Sequence, residues 1–224
     1  MIDRHSTIRS FVTRAGRVTP AQRRALDRHW AQYGLARDVP ISRDAFPGAD
    51  RLVIEIGFGN GEGLAAAARA NRTHHFVGIE VHEAGIGRLL QTAHDAALEN
   101  LHVVQGDAVE VLTHVVIPSG IDEIWIYFPD PWPKKRHHKR RLINPAFVAL
   151  LASRLAPAGL AKLATDWVPY AEQILEVFRA SSDFRNLSHQ GDYIERPSSR
   201  HLTKFEQRGQ RLGHEVRDLA FERI

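Results

Sequence analysis

A glycine-rich segment with acidic residues at its edges is the first candidate for chemistry. Its sequence is EIGFGNGEG, with Gly57, Gly59 and Gly61 at alternate positions. Glycines let the backbone turn tightly and approach a ligand closely, as nucleotide-type ligands require. The spacing differs from the G-x-G-x-x-G of dinucleotide sites, and Glu55 and Glu62 would repel a pyrophosphate. The segment therefore favours a positively charged ligand, such as S-adenosylmethionine, over NAD.

Two further acidic residues follow apolar runs of the kind that form buried strands. Glu80 comes 21 residues after Gly59, close to the ~20-residue offset at which an acid accepts hydrogen bonds from ribose hydroxyls. Asp107 follows the next apolar run and could receive an adenine amino group. Because the carboxyl ends of parallel strands meet at one edge of a sheet, we expect Glu55, Glu80 and Asp107 to line one cofactor site.

A proline-rich segment joined to a basic run is the third candidate. Residues 128–141 read FPDPWPKKRHHKRR, with prolines around Asp130 and Trp132. The prolines restrict the loop and are predicted to hold both side chains against the cofactor site. A carboxylate can accept hydrogen bonds from the N1–H and N2–H₂ edge of guanine, and an indole can stack on an extruded base. The Lys and Arg residues of 134–141 would neutralise RNA phosphates beside that base.

Two other polar segments are weaker candidates. Asp166 ends a predicted strand at the same edge of the sheet. Residues 196–206 combine a hydroxyl, a cation, an aromatic ring and an acid, although alone they describe an ordinary polar loop. The 13 His residues show no metal-ligand spacing such as H-E-x-x-H, so we assign no metal site.

The elements that position these residues alternate along the chain from Leu52. A basic helix from Pro20 to about Gly34 lies in residues 1–50, which we interpret as a basic N-terminal extension preceding a single domain of residues 51–224. Helices of suitable length between strands predict parallel pairing through right-handed crossovers, and hence a three-layer α/β/α sandwich with a mostly parallel, seven-stranded sheet. The strands are predicted at 52–56, 75–80, 101–105, 122–128, 159–165, 184–188 and 218–224.

Composition and charge exclude several classes of protein. The 224 residues include no Cys, which excludes disulfides, thiolate nucleophiles and Cys-ligated metals. No apolar stretch has the length of a membrane span, and the first residues lack the apolar centre of a signal peptide, so we expect a cytoplasmic protein without membrane contact. Two basic regions, residues 1–30 and Lys134–Arg141, stand out on an otherwise acidic chain of net charge +4. They indicate a polyanionic partner.

Six segments together resemble the tRNA (guanine-N7)-methyltransferases of bacterial type. They are EIGFGNGEGL (55–64), GIEVHEAGIGRLL (78–90), QGDA (105–108), YFPDPWPKKRHHKRR (127–141), ATDWVPYAE (164–172) and TKFEQRGQRLGH (203–214). PDPWPKKRH and TKFE are typical of that family, whereas many methyltransferases share the glycine loop. The resemblance implies a class I, Rossmann-like methyltransferase. It would use S-adenosylmethionine to methylate N7 of the guanine at position 46 in the tRNA variable loop, and would act as a monomer or a homodimer.

The same resemblance implies roles for individual residues, with Asp130 as the catalytic carboxylate of the active site. The cofactor-binding set would be Glu55, Gly57, Gly59, Gly61, Glu80, Asp107 and Asp130. The substrate-binding set would be Lys134, Asp166, Thr203, Lys204, Phe205 and Glu206. The RNA-contacting set would be Arg136, His137, His138, Lys139, Arg140 and Arg141.

Two alternatives from other classes share part of this pattern. A nicotinamide-dependent oxidoreductase would have the same fold, but it should carry G-x-G-x-x-G and a proton-donating Tyr, His or Lys beside the cofactor. An RNA-binding protein without catalysis would keep the basic runs but would not need acids at successive strand ends. Equilibrium binding of S-adenosylmethionine distinguishes the methyltransferase from the oxidoreductase and from the RNA-binding protein.

Overall fold

Six α-helices and seven β-strands make up the described part of the chain. The structure is a computed structural model that describes residues 9–11, 17–202, 206–207 and 215–224. The helices are α1 (Pro20–Tyr33), α2 (Glu62–Ala70), α3 (Glu83–Asp95), α4 (Ala108–His114), α5 (Pro145–Arg154) and α6 (Val168–Arg179). The strands are β1 (Arg51–Ile56), β2 (His74–Glu80), β3 (Leu101–Gln105), β4 (Ile121–Tyr127), β5 (Leu155–Thr165), β6 (Phe184–Asn186) and β7 (Arg217–Arg223). Two 3-10 helices, Arg43–Ala45 and Lys135–Arg140, lie in connections.

The strands form one sheet in the order β3-β2-β1-β4-β5-β7-β6. The first five strands pair in parallel, whereas β7 runs antiparallel to both β5 and β6. The predicted seven-stranded, mostly parallel sheet is confirmed. The order reverses direction at β1, which pairs with β2 on one side and β4 on the other. Such a switch point opens a crevice at the carboxyl ends of the strands.

Apolar residues on the two faces of the sheet form two separate cores. In β1, Leu52 and Ile54 belong to the core shared with α4, α5 and α6, while Val53 belongs to the core shared with α1, α2 and α3. All three side chains are essentially inaccessible to solvent, and burying a side chain of this size contributes about 1.5–3 kcal/mol. The predicted three-layer sandwich is therefore confirmed.

Capping residues in the sequence set where several helices begin. Thr19 caps α1 through a capping box with Gln22, and Pro20 occupies the first turn. Asn144 caps α5 by accepting a hydrogen bond from the Phe147 N–H. The predicted helix in the N-terminal fifty residues is thus present, and its Leu26 and Tyr33 are buried in the core shared with α2 and α3.

The structure adds one helix and lengthens one strand relative to the prediction. Helix α4 was not predicted, although Asp107 is its N-cap and accepts a hydrogen bond from the Val109 N–H at 2.8 Å. Strand β5 begins at Leu155, four residues before the predicted start, because Leu155 pairs with Ile121 across a register shift in β4. Neither difference moves the carboxyl edge of the sheet, where the candidate residues lie.

A stack of rings lies near the amino end of β2. The Nε2 atom of His75 lies 2.8 Å from Nδ1 of His102, and the Phe46 ring stacks on His75 with centroids 3.8 Å apart. Burial, and after it the neighbouring His102, lowers the pKa of His75 to about 4. The folded protein therefore keeps this imidazole neutral at a pH at which the unfolded chain would protonate it.

We expect the free energy of unfolding to fall as the pH is lowered from about 6.5 to about 4, because the unfolded state binds a proton that folded His75 excludes. Chemical denaturation across this range measures the slope. His75→Gln should flatten it, and the same change at exposed His114 should not. An unchanged slope in His75→Gln would show that His75 is not the group responsible.

Candidate active site

Two adjoining cavities lie at the carboxyl ends of the parallel strands. The first, of about 200 Å³, is lined by Glu80, Gly106 and Asp130 among others, and the second, of about 370 Å³, by Glu55 and the glycine loop. Gly57, Tyr127 and Phe128 line both, so the cavities form one cleft across the switch point. Their combined size lies within the ~300–1,000 Å³ typical of ligand sites.

The glycine loop has a backbone conformation that glycine favours. Gly57, Gly59 and Gly61 have φ values of +72°, +58° and +72°, in the left-handed region that L side chains rarely adopt. At Gly57 and Gly59 the position of a Cβ faces open space, whereas at Gly61 it would lie 2.7 Å from the Leu89 side chain. The first two glycines therefore leave room for a ligand, and the third lets α2 pack on α3.

Glu55 is buried at the end of β1 with one carboxyl oxygen unpartnered. Among the described residues, its Oε2 atom has no hydrogen-bond partner. Burial, and after it the charge of Glu80, raises the pKa of Glu55 to about 8. A buried carboxyl group without a partner favours its neutral form and would ionise beside a cation. The glycine-loop cavity thus suits a positively charged ligand group.

Glu80 and Asp107 lie at the ends of β2 and β3, as predicted, and both bind backbone N–H groups. Glu80 accepts hydrogen bonds from Gly59 at 3.1 Å, Val81 at 2.7 Å and His82 at 3.0 Å. These bonds fix its carboxylate in the wall of the first cavity. Asp107 caps α4, and its neighbours Gly106 and Ala108 line that cavity.

The proline-rich loop after β4 has a strained backbone held in place from several sides. Phe128 and Trp132 have φ values of +52° and +45°, and such residues cost about 1–3 kcal/mol each. The Phe128 N–H donates to the Ala164 carbonyl at 2.7 Å, which ties the loop to the end of β5. The exposed side chain of Asp130 lies in the wall of the first cavity. The loop therefore presents this carboxylate to the cleft.

The indole of Trp132 is engaged within the protein. The Arg140 guanidinium lies 3.8 Å from the centre of its ring, and its Nε1 donates to the Ser10 carbonyl at 3.0 Å. Arg140 also donates to the carbonyls of Arg9 and Phe11. One face of the indole that was predicted to stack on a base is therefore covered by Arg140.

Arg141 is buried, and this differs from its predicted contact with RNA. Its residue exposure is 3%. Its guanidinium donates to the Pro131 carbonyl at 2.9 Å, the Pro169 carbonyl at 3.4 Å and Oε1 of Gln173 at 2.5 Å. The side chain thus ties the proline-rich loop to the first turns of α6. We correct the assignment of Arg141 from an RNA contact to a support of this loop.

The remaining residues of the basic run form a 3-10 helix with an exposed cationic surface. Lys134, Lys135, Arg136 and Lys139 are exposed, whereas His137, His138 and Arg140 are half-buried. Desolvation, and after it the charges of Arg136 and Arg140, lowers the pKa of His137 and so favours its neutral form. The exposed Lys and Arg side chains give this surface its positive charge.

A buried charge network holds the C-terminal segment. Arg200 donates to both carboxylate oxygens of Glu206 at 2.7 Å, and its Nε lies 2.6 Å from a carboxylate oxygen of Asp218 in β7. All three side chains are buried. Glu206, which the resemblance assigned to substrate binding, is thus paired with Arg200 inside the protein. Asp166 is half-buried at the end of β5. Thr203, Lys204 and Phe205 lie outside the described residues.

Sequence reasoning missed three features of the site. Arg200 and Asp218 are far apart in sequence, and no local pattern marks them as partners. Tyr127 lines both cavities, and burial raises its pKa well above the usual value, so its hydroxyl is neutral. Because Tyr127 is the last residue of β4, its position at the carboxyl edge of the sheet could have predicted a place in the cleft. Ser10 and Phe11 also line the first cavity, and no sequence pattern predicts this.

Within the described ranges, no group of three or more His, Asp or Glu side chains is arranged to hold a metal ion. None of the helices in that part of the chain combines the length and the apolar composition of a membrane span.

Comparisons with known proteins agree on the family. Residues 49–219 match a family model described as a putative methyltransferase. A tRNA (guanine-N(7)-)-methyltransferase of Yersinia enterocolitica is 50% identical over 96% of this chain and 91% of its own length. One from Pseudomonas savastanoi pathovar phaseolicola is 46% identical over 98% of this chain and 91% of its own length. The solved structure of the 16S rRNA methyltransferase KamB superimposes with a TM-score of 0.57 at 16% identity, covering 94% of this chain and 96% of that one.

The sheet order, the family model over residues 49–219 and the 50%-identical relative together define a class I, S-adenosylmethionine-dependent methyltransferase. Glu55, the open space above Gly57 and Gly59, and Glu80 fit a ligand with both positive charge and hydroxyl groups. The chain belongs to the tRNA (guanine-N7)-methyltransferase family.

We expect S-adenosylmethionine binding to release a proton near neutral pH, because a cationic group beside Glu55 would lower the raised pKa of about 8. Affinity should rise between pH 6.5 and 8. Calorimetry in buffers of different ionisation enthalpy measures the released proton. Glu55→Gln should bind about tenfold or more weakly and lose most of this pH dependence, since it removes a charge-assisted contact of about 1.5–3 kcal/mol. Any pH dependence of affinity that remains in Glu55→Gln is due to titration of the amino group of S-adenosylmethionine itself. Equal proton release by Glu55→Gln and the wild type would contradict the assignment.

Proposed function

We propose that this chain methylates N7 of a guanine in tRNA with S-adenosylmethionine as methyl donor, and that the guanine is position 46 in the variable loop. The observation that carries the proposal is the continuity of the proline-rich loop with the basic 3-10 helix. Asp130 lies in the wall of the cofactor cleft, and an exposed cationic surface begins at Lys134. One rigid segment thus joins a base-binding carboxylate to a phosphate-binding surface.

The proposed reaction needs no general base. When bound, S-adenosylmethionine supplies a methyl group on a positively charged sulfur, which keeps the electrons of the broken carbon–sulfur bond. Guanine N7 carries an in-plane lone pair and no proton, so no proton has to be removed. The protein's contribution is therefore to orient the base, and orientation can be worth about 7–11 kcal/mol.

Asp130 is the residue we assign to that orientation. Its carboxylate can accept hydrogen bonds from N1–H and N2–H₂ of guanine, the edge opposite N7. A negative charge there also offsets the positive charge that develops on the ring during transfer. The ties from Phe128 to Ala164 and from Arg141 to Pro131 keep the carboxylate in place. We further propose cofactor contacts for Glu55, Glu80, Asp107 and the glycine loop, and substrate contacts for Lys134 and Asp166.

The same proposal extends to the organisation and location of the chain. We propose that residues 51–224 form the methyltransferase domain, which begins with β1, and that residues 1–50 are a basic extension docked on it through α1. We also propose that the enzyme acts in the cytoplasm. A chain without Cys suits that reducing compartment.

We test the activity by incubating tRNA transcripts with the enzyme and labelled S-adenosylmethionine, followed by nucleoside analysis. The expected product is 7-methylguanosine, and a transcript with adenine at position 46 should receive no label. Labelled 7-methylguanosine from that second transcript would contradict the assigned position. The absence of any labelled nucleoside from either transcript would contradict the proposed activity.

We expect Asp130→Ala to lower the single-turnover rate by roughly a hundredfold or more, the loss typical when one oriented group that stabilises transition-state charge is removed. Its tRNA affinity should change little, because phosphate contacts dominate binding. Asp130→Asn should restore little activity, since its NH₂ group would face guanine's donors. Asp44→Ala removes an exposed acid outside the cleft and serves as the control. A near-wild-type rate in Asp130→Ala would exclude Asp130 as the residue that orients the guanine.

We expect Arg136→Ala and Lys139→Ala each to weaken tRNA binding and to reduce the slope of log affinity against log salt concentration by roughly one unit or less. Arg72→Ala, at the opposite edge of the sheet, is the matched control. Arg141→Ala should leave the slope unchanged and instead destabilise the fold by about 1–3 kcal/mol, because it removes the buried guanidinium that joins the proline-rich loop to α6. A reduced slope in Arg141→Ala would reinstate it as an RNA contact.

A further inference from the structure

The four tryptophans of the chain differ in how far their rings are engaged. Trp125 donates to Glu123 at 3.0 Å and contacts the rings of Phe76 and Tyr127, and Trp132 is covered by Arg140. Trp30 packs against the core shared with α1, α2 and α3. Trp167, by contrast, is 37% exposed, and within the described ranges its ring has no aromatic, cationic or hydrogen-bonded partner. It therefore presents an open indole surface to solvent.

Trp167 follows the carboxyl end of β5, at the edge of the sheet that carries the cleft. It lies three residues after Ala164, whose carbonyl accepts the Phe128 N–H at 2.7 Å at the start of the proline-rich loop. On the other side, Arg141 donates both to Pro131 in that loop and to Pro169, two residues after Trp167. These two ties hold the backbone on both sides of Trp167 to the segment that carries Asp130 and leads into the basic 3-10 helix.

The backbone around Trp167 is fixed before any ligand binds. Its N–H donates to Oγ1 of Thr165 at 3.2 Å, and its carbonyl accepts from Tyr170 at 2.9 Å and Ala171 at 3.0 Å as the N-cap of α6. The next residues, Val168 and Pro169, are exposed as well, so an apolar surface of three residues projects at this edge. Such a platform loses little conformational entropy when a flat ring stacks on it.

We propose that Trp167 is a stacking platform for a nucleobase that flanks the methylated guanine in the substrate RNA. This inference rests on the proposed function. A nucleobase is the occupant that suits the site, because every base has an aromatic face. The exposed Lys134, Lys135 and Arg136 follow Pro131, which Arg141 ties to Pro169, and would hold the phosphates of the RNA strand. Stacking of the flanking base keeps the RNA strand open, and the guanine can then enter the cleft towards Asp130.

The test compares Trp167→Ala, Trp167→Leu and Trp167→Phe with the wild-type enzyme on a tRNA transcript. Ala and Leu should weaken tRNA binding or lower the rate at subsaturating tRNA roughly ten- to hundredfold, whereas Phe should retain most of both, because stacking needs a flat ring rather than apolar volume. Affinity for S-adenosylmethionine should be unchanged in all three. Leu187→Ala, another exposed apolar residue at 38%, controls for the loss of surface area.

A cycle with modified RNA identifies the partner of the indole. An abasic site next to the target guanine, on the side whose base stacks on Trp167, should weaken RNA binding by the wild-type enzyme about as much as Trp167→Ala does. The same abasic RNA should bind Trp167→Ala no more weakly than intact RNA does. If the binding losses from the abasic site and from Trp167→Ala add at every flanking position, the stacking platform is wrong. It is also wrong if Trp167→Ala keeps the wild-type tRNA affinity and rate. Loss of a homodimer in Trp167→Ala with unchanged tRNA binding would overturn it in favour of an interface between copies.

The same experiment separates this inference from the proposed function. If the wild-type enzyme forms no 7-methylguanosine in any transcript, the proposed function fails and the platform fails with it. If the wild type methylates tRNA and the Trp167 variants do so equally well, the platform alone is wrong.

Discussion

The pairing of β1 with β2 on one side and β4 on the other is the constraint on which the site depends. The chain crosses from β1 towards β3 with helices on one face, and then returns to β4 with helices on the other face. The connections after β1 and β4 therefore diverge, and a crevice opens above the sheet between them. The glycine loop and the proline-rich loop are those two connections. Their positions follow from the strand order, and their chemistry follows from the residues placed there.

Two buried ionisable side chains, Glu55 and Arg200, lie in very different surroundings. Glu55 is buried without a partner for one oxygen, which raises its pKa to about 8, so the ligand-free protein loses stability as the pH rises above the carboxyl group's ordinary pKa. Arg200 is buried too, but Glu206 and Asp218 satisfy it. The first arrangement fits the cation binding that we propose for Glu55. The second fixes a loop against β7, and removing one partner would leave a buried charge uncompensated.

Neighbouring arginines of the basic run have different roles, and burial decides between them. Arg136 is exposed and adds charge to the surface, Arg140 covers the Trp132 ring, and Arg141 is buried between the proline-rich loop and α6. A guanidinium can do all of these because it is planar and has five donors. The run therefore combines a surface for a polyanion with the support that keeps Asp130 and Trp167 at the same edge.

The sequence by itself determined the architecture and the chemistry at the strand ends. Apolar runs of strand length separated by helices predicted the parallel sheet, and acids after β1, β2 and β3 predicted the cleft, because local periodicity and turn residues specify both. Only the tertiary structure decided which side chains are accessible. Arg140 and Arg141 are adjacent in a uniformly basic run, yet Arg141 is buried and donates to the carbonyls of Pro131, 10 residues before it, and Pro169, 28 residues after it. The partnership of Arg200 with Asp218 and the open face of Trp167 also depend on how separate elements pack, and no local pattern encodes that packing.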